Sequence, residues 1–297
     1  MSPVSPGVTA DALQITSRRI VSSDQLVLVA DDLGPEAAPA VILLHGGGQT
    51  RHSWSGAARA LAQRGYRVIN FDARGHGESD WSETGAYSLD DRVADLEAIV
   101  AEIDQPFVLV GASLGGATSI HAAARSLQPA GIVLVDIVPH PESEGISRIV
   151  TFMRANPDGF ATLDEAVDAV AAYNPERPRP RDPSGLLRNL RRREDGRLYW
   201  HWDPRIVASR PQDLHELVRQ SATKLAGTGL PVLLVRGLKS DVVSDAGVAR
   251  FRELVPDLEV VDVGGAGHMV AGDRNDAFND AVMAFLDRHM PIGQTRL

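Results

Sequence analysis

The sequence has no cysteine among its 297 residues. This absence excludes disulfide bonds, thiolate metal sites, iron–sulfur clusters and a cysteine nucleophile. Basic residues are also in the minority, with 30 Lys and Arg against 39 Asp and Glu, so the formal charge is −9. An acidic chain is a poor partner for nucleic acid or an anionic membrane. The 43% hydrophobic content is typical of a globular protein with one large α/β domain or two smaller ones.

Targeting and membrane signals are lacking as well. Residues 1–17 begin with a stretch rich in Pro, Ser and Gly, and they predict a disordered tail. Residues 106–124 carry no charge, but glycine and hydroxyl residues interrupt them, which favours a buried strand, a turn and a helix over a membrane span. We therefore expect a soluble, cytoplasmic protein that is a monomer or homodimer. No nucleic-acid or membrane partner, metal or cofactor is predicted.

Short apolar runs alternate with helical patterns along most of the chain. The runs are rich in Val, Ile and Leu, as in strands of a parallel sheet covered on both faces: 40–45, 66–72, 106–111, 131–136, 231–236 and 258–263. The predicted helices are 54–63, 89–102, 114–126, 245–255 and 273–289. Residues 19–30 predict an antiparallel hairpin that precedes them. The alternation indicates an α/β fold with a doubly wound sheet.

The alternation stops between residues 138 and 225. This segment contains no strong strand, and it predicts helices at 163–172 and 186–193 on either side of a proline-rich stretch. An insertion of this length typically has its own structure and function. We interpret it as a helical lid (cap) over the carboxyl ends of the strands, inserted into a core domain of residues 18–137 and 226–297.

The strongest chemical motif is Gly-Ala-Ser-Leu-Gly-Gly at 111–116. A serine hydroxyl becomes an effective nucleophile only when it is exposed, oriented and paired with a base. A sharp turn between a strand and a helix exposes the serine, and flanking glycines permit the close packing of that turn. The strand predicted before this motif and the helix after it make Ser113 the candidate nucleophile.

The candidate base is His268, in the glycine-rich stretch 264–270 after the last predicted strand. This position brings its imidazole to the same sheet edge as Ser113. Such a base needs a carboxylate to orient it, and two aspartates lie at strand ends. Asp241 is preferred because it gives the chain order Ser, Asp, His that is typical of this architecture. Asp136 is the alternative acid.

Acyl-transfer chemistry also needs donors for the developing oxyanion. Three glycines follow the strand and histidine at 41–45, and the N–H of Gly47 is the expected first donor. The N–H of Leu114, at the start of a helix, is the second. His45 is interpreted as a structural anchor.

Together, His-Gly-Gly-Gly at 45–48, Phe-Asp-Ala-Arg-Gly-His-Gly-Glu-Ser at 71–79, the 111–116 motif and Gly-His at 267–268 resemble the α/β-hydrolase superfamily. The resemblance is to its lid-bearing serine hydrolases, including esterases, perhydrolases and carbon–carbon bond hydrolases. It implies an eight-stranded sheet whose second strand is antiparallel, with a lid after the sixth strand. It also implies that the loop containing Arg74 and His76 is structural. One departure is that Ser240 stands where many members have the acid, one residue before Asp241.

An aromatic cluster at 199–202 suggests the substrate. The predicted pocket residues are His140, Phe152, Met153, Trp200, Trp202 and Met269, which favour an apolar acyl chain or aromatic ring. The same rings could equally form the core of the lid. We predict a serine hydrolase of the carboxylesterase or lactonase type, which forms an acyl-enzyme on Ser113. The alternatives are a carbon–carbon bond hydrolase of a vinylogous diketone and a non-enzymatic ligand sensor.

Overall fold

A computed structural model describes residues 13–175, 179–208, 211–270 and 275–293. Within these residues, eight strands form the main sheet: β1 (Ile15–Val21), β2 (Val27–Leu33), β3 (Ala40–Leu44), β4 (Arg67–Phe71), β5 (Phe107–Ala112), β6 (Gly131–Val135), β9 (Val232–Gly237) and β10 (Glu259–Val263). The helices are α1 (Ser55–Gln63), α2 (Leu89–Val100), α3 (Leu114–Arg125), α4 (Ser143–Arg154), α5 (Leu163–Tyr173), α6 (Pro211–Leu225), α7 (Asp245–Leu254) and α8 (Asn275–His289).

The sheet order is β1-β2-β4-β3-β5-β6-β9-β10. Strand β2 is antiparallel to both of its neighbours, and the pairs from β4 to β10 are parallel. This confirms the predicted eight-stranded, mostly parallel sheet and its antiparallel second strand. The central strands are buried along their length, because helices cover both faces.

The register of the central strands determines which residues meet at the carboxyl edge. Ala112 of β5 is opposite Val135 of β6, and the backbone N–H of Ser113 donates to the carbonyl of Val135 over 3.1 Å. The residues that follow β5 and β6 are therefore neighbours. Val235 of β9 pairs with Val135 in the same way, so the loops after three strands converge there.

The segment between β6 and β9 contains helices α4, α5 and α6 and a small antiparallel pair, β7 (Leu190–Arg192) and β8 (Leu198–Trp200). The predicted basic helix at 186–193 is wrong, because a 3-10 turn at Pro183–Asn189 leads directly into β7. The segment was also expected to contain no strong strand, and the short pair of β7 and β8 shows that it contains two. Part of the proline-rich stretch, residues 176–178, lies outside the described residues. Helices α4 and α6 were not predicted.

The amino-terminal prediction needs a correction. Strand β1 begins at Ile15 and pairs with β2 along its length, so residues 15–17 belong to the sheet and not to a disordered tail. Residues 1–12 lie outside the described part of the chain, as do the first residues of the helix predicted at 273–289. The charge-free stretch 106–124 forms β5, the turn and α3. None of the described helices is long and apolar enough to cross a membrane.

Candidate active site

Ser113 lies at the turn between β5 and α3 and has a strained backbone, with φ 46° and ψ −112°. The turn is tight because its glycines allow strand and helix to touch. A Cβ at Gly111 would lie 2.5 Å from the carbonyl carbon of Gly115, and one at Gly116 would lie 2.6 Å from the Ile137 side chain. Larger residues would therefore push the helix away from the strand. This geometry projects the Ser113 side chain into a cavity above the sheet edge.

Asp136 directly follows β6 and contacts the imidazole of His268. The distance between Asp136 Oδ2 and His268 Nδ1 is 2.6 Å. The carboxylate is fully buried, and it also accepts hydrogen bonds from the Gly237 N–H (3.1 Å) and the Ser240 hydroxyl (2.5 Å). These donors hold it in one orientation. Since a carboxylate only accepts, Nδ1 of His268 carries the proton and Nε2 is left as the basic nitrogen.

Asp241 does not contact His268, so the prediction that it orients this base is wrong. Its carboxylate forms an ion pair with Arg148 of α4 at 2.9 Å and remains 34% exposed. The physical reason is local: the β9 loop turns at Ser240, whose hydroxyl accepts from the N–H groups of Val242 and Val243. This turn directs Ser240 toward Asp136 and leaves Asp241 facing α4.

The backbone N–H groups of the three glycines after β3 differ in their hydrogen-bond partners. The N–H of Gly46 donates to Gln49 Oε1 at 3.0 Å, and the N–H of Gly48 donates to His76 Nε2 at 3.1 Å. In the described part of the chain, the N–H groups of Gly47 and Leu114 have no hydrogen-bond acceptor. Both residues line the same cavity as Ser113. The two predicted oxyanion donors are thus unpaired at the cavity wall.

Three buried histidines fix this glycine loop. His45 accepts from the Ala73 N–H, His76 accepts from Gly48, and His201 accepts from the Gly77 N–H at 2.7 Å. The other ring nitrogen of each lies next to a backbone carbonyl, which for His201 is that of Gly48 at 3.3 Å. Each ring therefore donates once and accepts once, which only a neutral imidazole can do. His76 and His201 together hold both polar groups of the Gly48 backbone.

Burial lowers the pKa of all three rings: that of His45 falls, that of His76 falls well below its usual value, and that of His201 falls to about 3. The unfolded chain, with a histidine pKa near 6.5, takes up protons first as the pH falls. The contribution of these three histidines to the free energy of unfolding is therefore complete above pH 6.5 and is lost progressively as the pH falls below that value.

We expect His201 alone to reduce the free energy of unfolding by about 2 kcal/mol between pH 7 and pH 5. Urea denaturation at both pH values measures this loss. In His201→Gln, whose amide can also donate and accept, the drop should be smaller by that amount. Parallel pH dependences of native protein and variant would contradict the assignment.

The cavity above the sheet edge has a volume of about 750 Å³. Its lining includes Ser113, Asp136 and His268, and five of the predicted pocket residues: Phe152, Met153, Trp200, Trp202 and Met269. His140 is not among the lining residues, so its assignment to the pocket is wrong. It precedes α4, and its carbonyl packs against Gly247 of α7.

The aromatic rings line the cavity and also form the core of the segment between β6 and β9. Trp200 and Trp202 stack with centroids 4.9 Å apart, and Phe152 stacks on Tyr173 at 4.3 Å. The two tryptophans, Met153 and Phe160 belong to one buried cluster, and Phe152 packs against it. The two interpretations left open by the sequence therefore both hold.

Several residues that support the site were not predicted from the sequence. Gln49 joins the glycine loop after β3 to the loop that contains His268. Its Nε2 lies 2.9 Å from the sulfur of Met269, and its Oε1 accepts from the N–H of Gly46. Ser240 and His201 were noted, but their contacts were not foreseen. No signal in a single sequence indicates the contacts of Gln49 with Met269, of Ser240 with Asp136 and of His201 with Gly48, since each joins residues more than one hundred positions apart.

Comparison with known proteins agrees with this fold. A family model described as alpha/beta hydrolase fold matches residues 39–274. The chain is 31% identical over 260 residues to an esterase from Mycobacterium tuberculosis, which covers 84% of each protein. It is 32% identical to 2-(acetamidomethylene)succinate hydrolase from Mesorhizobium japonicum over 75% of this chain and 79% of that protein.

Solved structures give the same result. A crystal structure of E-2-(acetamidomethylene)succinate hydrolase superposes with a TM-score of 0.82 at 26% identity, covering 92% of this chain and all of that one. A structure of the M. tuberculosis esterase gives a TM-score of 0.75 at 28% identity, covering 94% of each chain.

Proposed function

Because this chain belongs to the α/β-hydrolase family, we propose that it is a serine hydrolase that cleaves a carboxylic ester, a lactone or a related acyl compound. The observation that carries the proposal is the shared cavity: the strained Ser113 turn and the hydrogen-bonded pair of His268 and Asp136 line it together. The names of the two relatives, an esterase and a hydrolase, support the same class of reaction.

In the proposed reaction, Ser113 Oγ attacks the acyl carbonyl while Nε2 of His268 removes its proton. The buried Asp136 keeps the ring in the required tautomer and stabilises the imidazolium that forms. The proton on Nε2 then passes to the leaving alcohol, which departs and leaves an acyl ester on Ser113.

The negative charge that develops on the carbonyl oxygen requires donors that are already in place. The unpaired N–H groups of Gly47 and Leu114 are the candidates. The N–H groups on either side of Gly47 are occupied, because Gly46 donates to Gln49 Oε1 and Gly48 donates to His76 Nε2. Water activated by His268 then attacks the acyl-enzyme and releases the acid.

We assign the segment of residues 138–225 the role of a lid. Its aromatic rings and Met153 give the cavity an apolar wall, which suits an acyl chain or an aromatic ring. The substrate is a small molecule, since the cavity volume of about 750 Å³ is typical of such sites.

The test is turnover of p-nitrophenyl esters, simple lactones and a vinylogous diketone, combined with labelling by a fluorophosphonate. We expect ester hydrolysis and one covalent adduct, located at Ser113 by peptide mass spectrometry. Preferred cleavage of the diketone would indicate a carbon–carbon hydrolase. Binding without any turnover would indicate a ligand sensor and contradict the proposal.

Ser221 provides an internal control for the labelling. Its hydroxyl lies 2.8 Å from His121 Nδ1, and His121 Nε2 lies 2.9 Å from Asp90, so the three residues also form a serine–histidine–aspartate chain. Ser221 is only 2% exposed, and its hydroxyl donates to the carbonyl of Leu217 in its own helix. It should therefore remain unlabelled.

A further inference from the structure

Arg92 lies on α2, where it lines the same cavity as Ser113 and His268. The side chain belongs to the buried face of the helix, together with Leu89, Val93 and Leu96, and the residue is only 5% exposed. A charged side chain at such a position normally requires a partner of opposite charge.

Arg92 has no such partner in the described part of the chain. Its guanidinium makes no hydrogen bond and no ion pair there, and its Nε is buried without an acceptor. The other arginines buried near the site are paired: Arg74 with Asp95, and Arg51 with Asp72. The unpaired guanidinium is therefore a local exception.

The nearest acidic residues are already engaged. Asp95 accepts both Nε and Nη2 of Arg74 at 2.6 Å, and Asp91 accepts the backbone N–H and the hydroxyl of Ser88 at 2.8 and 2.6 Å. Burial lowers the pKa of Arg92 to about 10. The side chain still carries its positive charge at pH 7, and Asp95, the carboxylate that attracts it most, is already paired with Arg74.

We propose that Arg92 forms an anion subsite that binds a carboxylate of the substrate. A planar guanidinium matches a carboxylate, which can accept two parallel hydrogen bonds from it. The proposal rests on the proposed function, and it narrows the substrate to an acyl compound that also carries a free carboxylate. A smaller cavity of about 20 Å³ also borders Arg92, but it has room for little more than a water molecule, so the carboxylate must enter from the large cavity.

The test compares esters that differ in one carboxylate. The 4-nitrophenyl hemiester of glutaric acid carries it on the acyl part, with 4-nitrophenyl pentanoate as its neutral match. The pentanoyl ester of 4-hydroxybenzoate carries it on the leaving group, with phenyl pentanoate as its match. We expect native protein to prefer the charged member of one pair, which identifies the part of the substrate that faces Arg92.

In Arg92→Met, the ratio of kcat/KM for the charged ester to that for its neutral match should fall about 10- to 100-fold. Arg92→Lys should recover part of the preference, because it retains the charge but lacks the planar fork. Arg92→Gln is a second neutral variant if the methionine variant folds poorly. Arg59→Met removes a charge from the exposed face of α1 and should leave the ratio at its native value.

An equal fall for charged and neutral esters would overturn the proposal, since Arg92 would then act on the reaction and not on a carboxylate. An unaltered ratio would overturn it as well. A binding measurement separates this proposal from the proposed function: in Ser113→Ala, glutarate should change the fluorescence of the cavity tryptophans, and Arg92→Met should abolish that change. This readout does not depend on turnover, so it tests the subsite even if no ester is hydrolysed.

Discussion

Ser113→Ala should lower kcat for p-nitrophenyl esters by about 10⁴- to 10⁶-fold, the range found when the nucleophile of a serine hydrolase is removed. No other hydroxyl is held at the turn between β5 and α3, so no neighbouring residue in the described structure can replace it. The cavity and the Gly47 and Leu114 N–H groups remain in the variant. Substrate should therefore still bind, and the loss should appear in kcat and much less in KM. Steady-state kinetics measure both.

Alanine is a suitable replacement because it tests chemistry without altering the fold. It retains the Cβ of serine and therefore the same strained backbone at φ 46°. The thermal unfolding temperature should match that of native protein, as should the affinity for a non-hydrolysable substrate analogue. If the variant retained native turnover, Ser113 would not be the nucleophile.

Asp136→Asn should lower kcat by about 10³- to 10⁴-fold, because an amide at this position can present its NH₂ to His268 and favour the wrong tautomer. The matched variant Asp241→Asn should lose less than about threefold, since it removes only a partly exposed ion pair with Arg148. The two substitutions make the same chemical change at the ends of neighbouring strands. The difference in kcat between the two variants therefore measures the effect of losing the carboxylate contact with His268.

The pH dependence of kcat/KM adds a second readout. Attack requires a free Nε2 on His268, so a variant that alters the contact between Asp136 and His268 should alter the pH profile of kcat/KM. Asp241→Asn should retain the native profile. If instead Asp241→Asn were the inactive variant and Asp136→Asn the active one, the geometry described here would not be the catalytic one.

The central part of the site was predictable because it depends on local sequence. Gly111, Ser113 and Gly116 form a strand–turn–helix pattern whose chemistry follows from a few adjacent residues. The location of His268 near Ser113 was predictable because His268 comes after the last strand, and parallel strands bring their carboxyl ends to one edge of the sheet. The α/β class follows from the alternation of apolar runs and helical patterns, while the eight strands and the antiparallel second strand were implied by the resemblance to α/β-hydrolases.

The choice of acid was not predictable, because it depends on how two loops turn. Asp136 and Asp241 both follow buried strands, and both lie between Ser113 and His268 in the chain, so chain order does not distinguish them. The deciding contacts are the hydrogen bonds of the Ser240 hydroxyl and the Gly237 N–H to Asp136, which depend on the tertiary structure. Arg92 was missed for a related reason: within an amphipathic helix, a charged residue is ordinarily interpreted as solvent-exposed.

The segment between β6 and β9 was the least predictable part. Its strands β7 and β8 have three residues each, too few to show a periodicity. Their pairing depends on rings such as Trp200 and Phe160 packing against helices on either side. Pattern analysis therefore identified the aromatic cluster but not the hairpin that carries it.

The hydrogen bond from His201 to the Gly48 carbonyl links the segment between β6 and β9 to the core of the fold. His201 follows β8 in the inserted segment, while Gly48 belongs to the loop after β3 and adjoins Gly47. Exchanging the whole segment for one that lacks this histidine would thus remove one of the side chains that anchor the glycine loop. Such a chimera would inherit a different pocket and also a less firmly held Gly47 N–H. One hydrogen bond thus couples the segment that forms the apolar wall of the pocket to the loop that presents the Gly47 N–H.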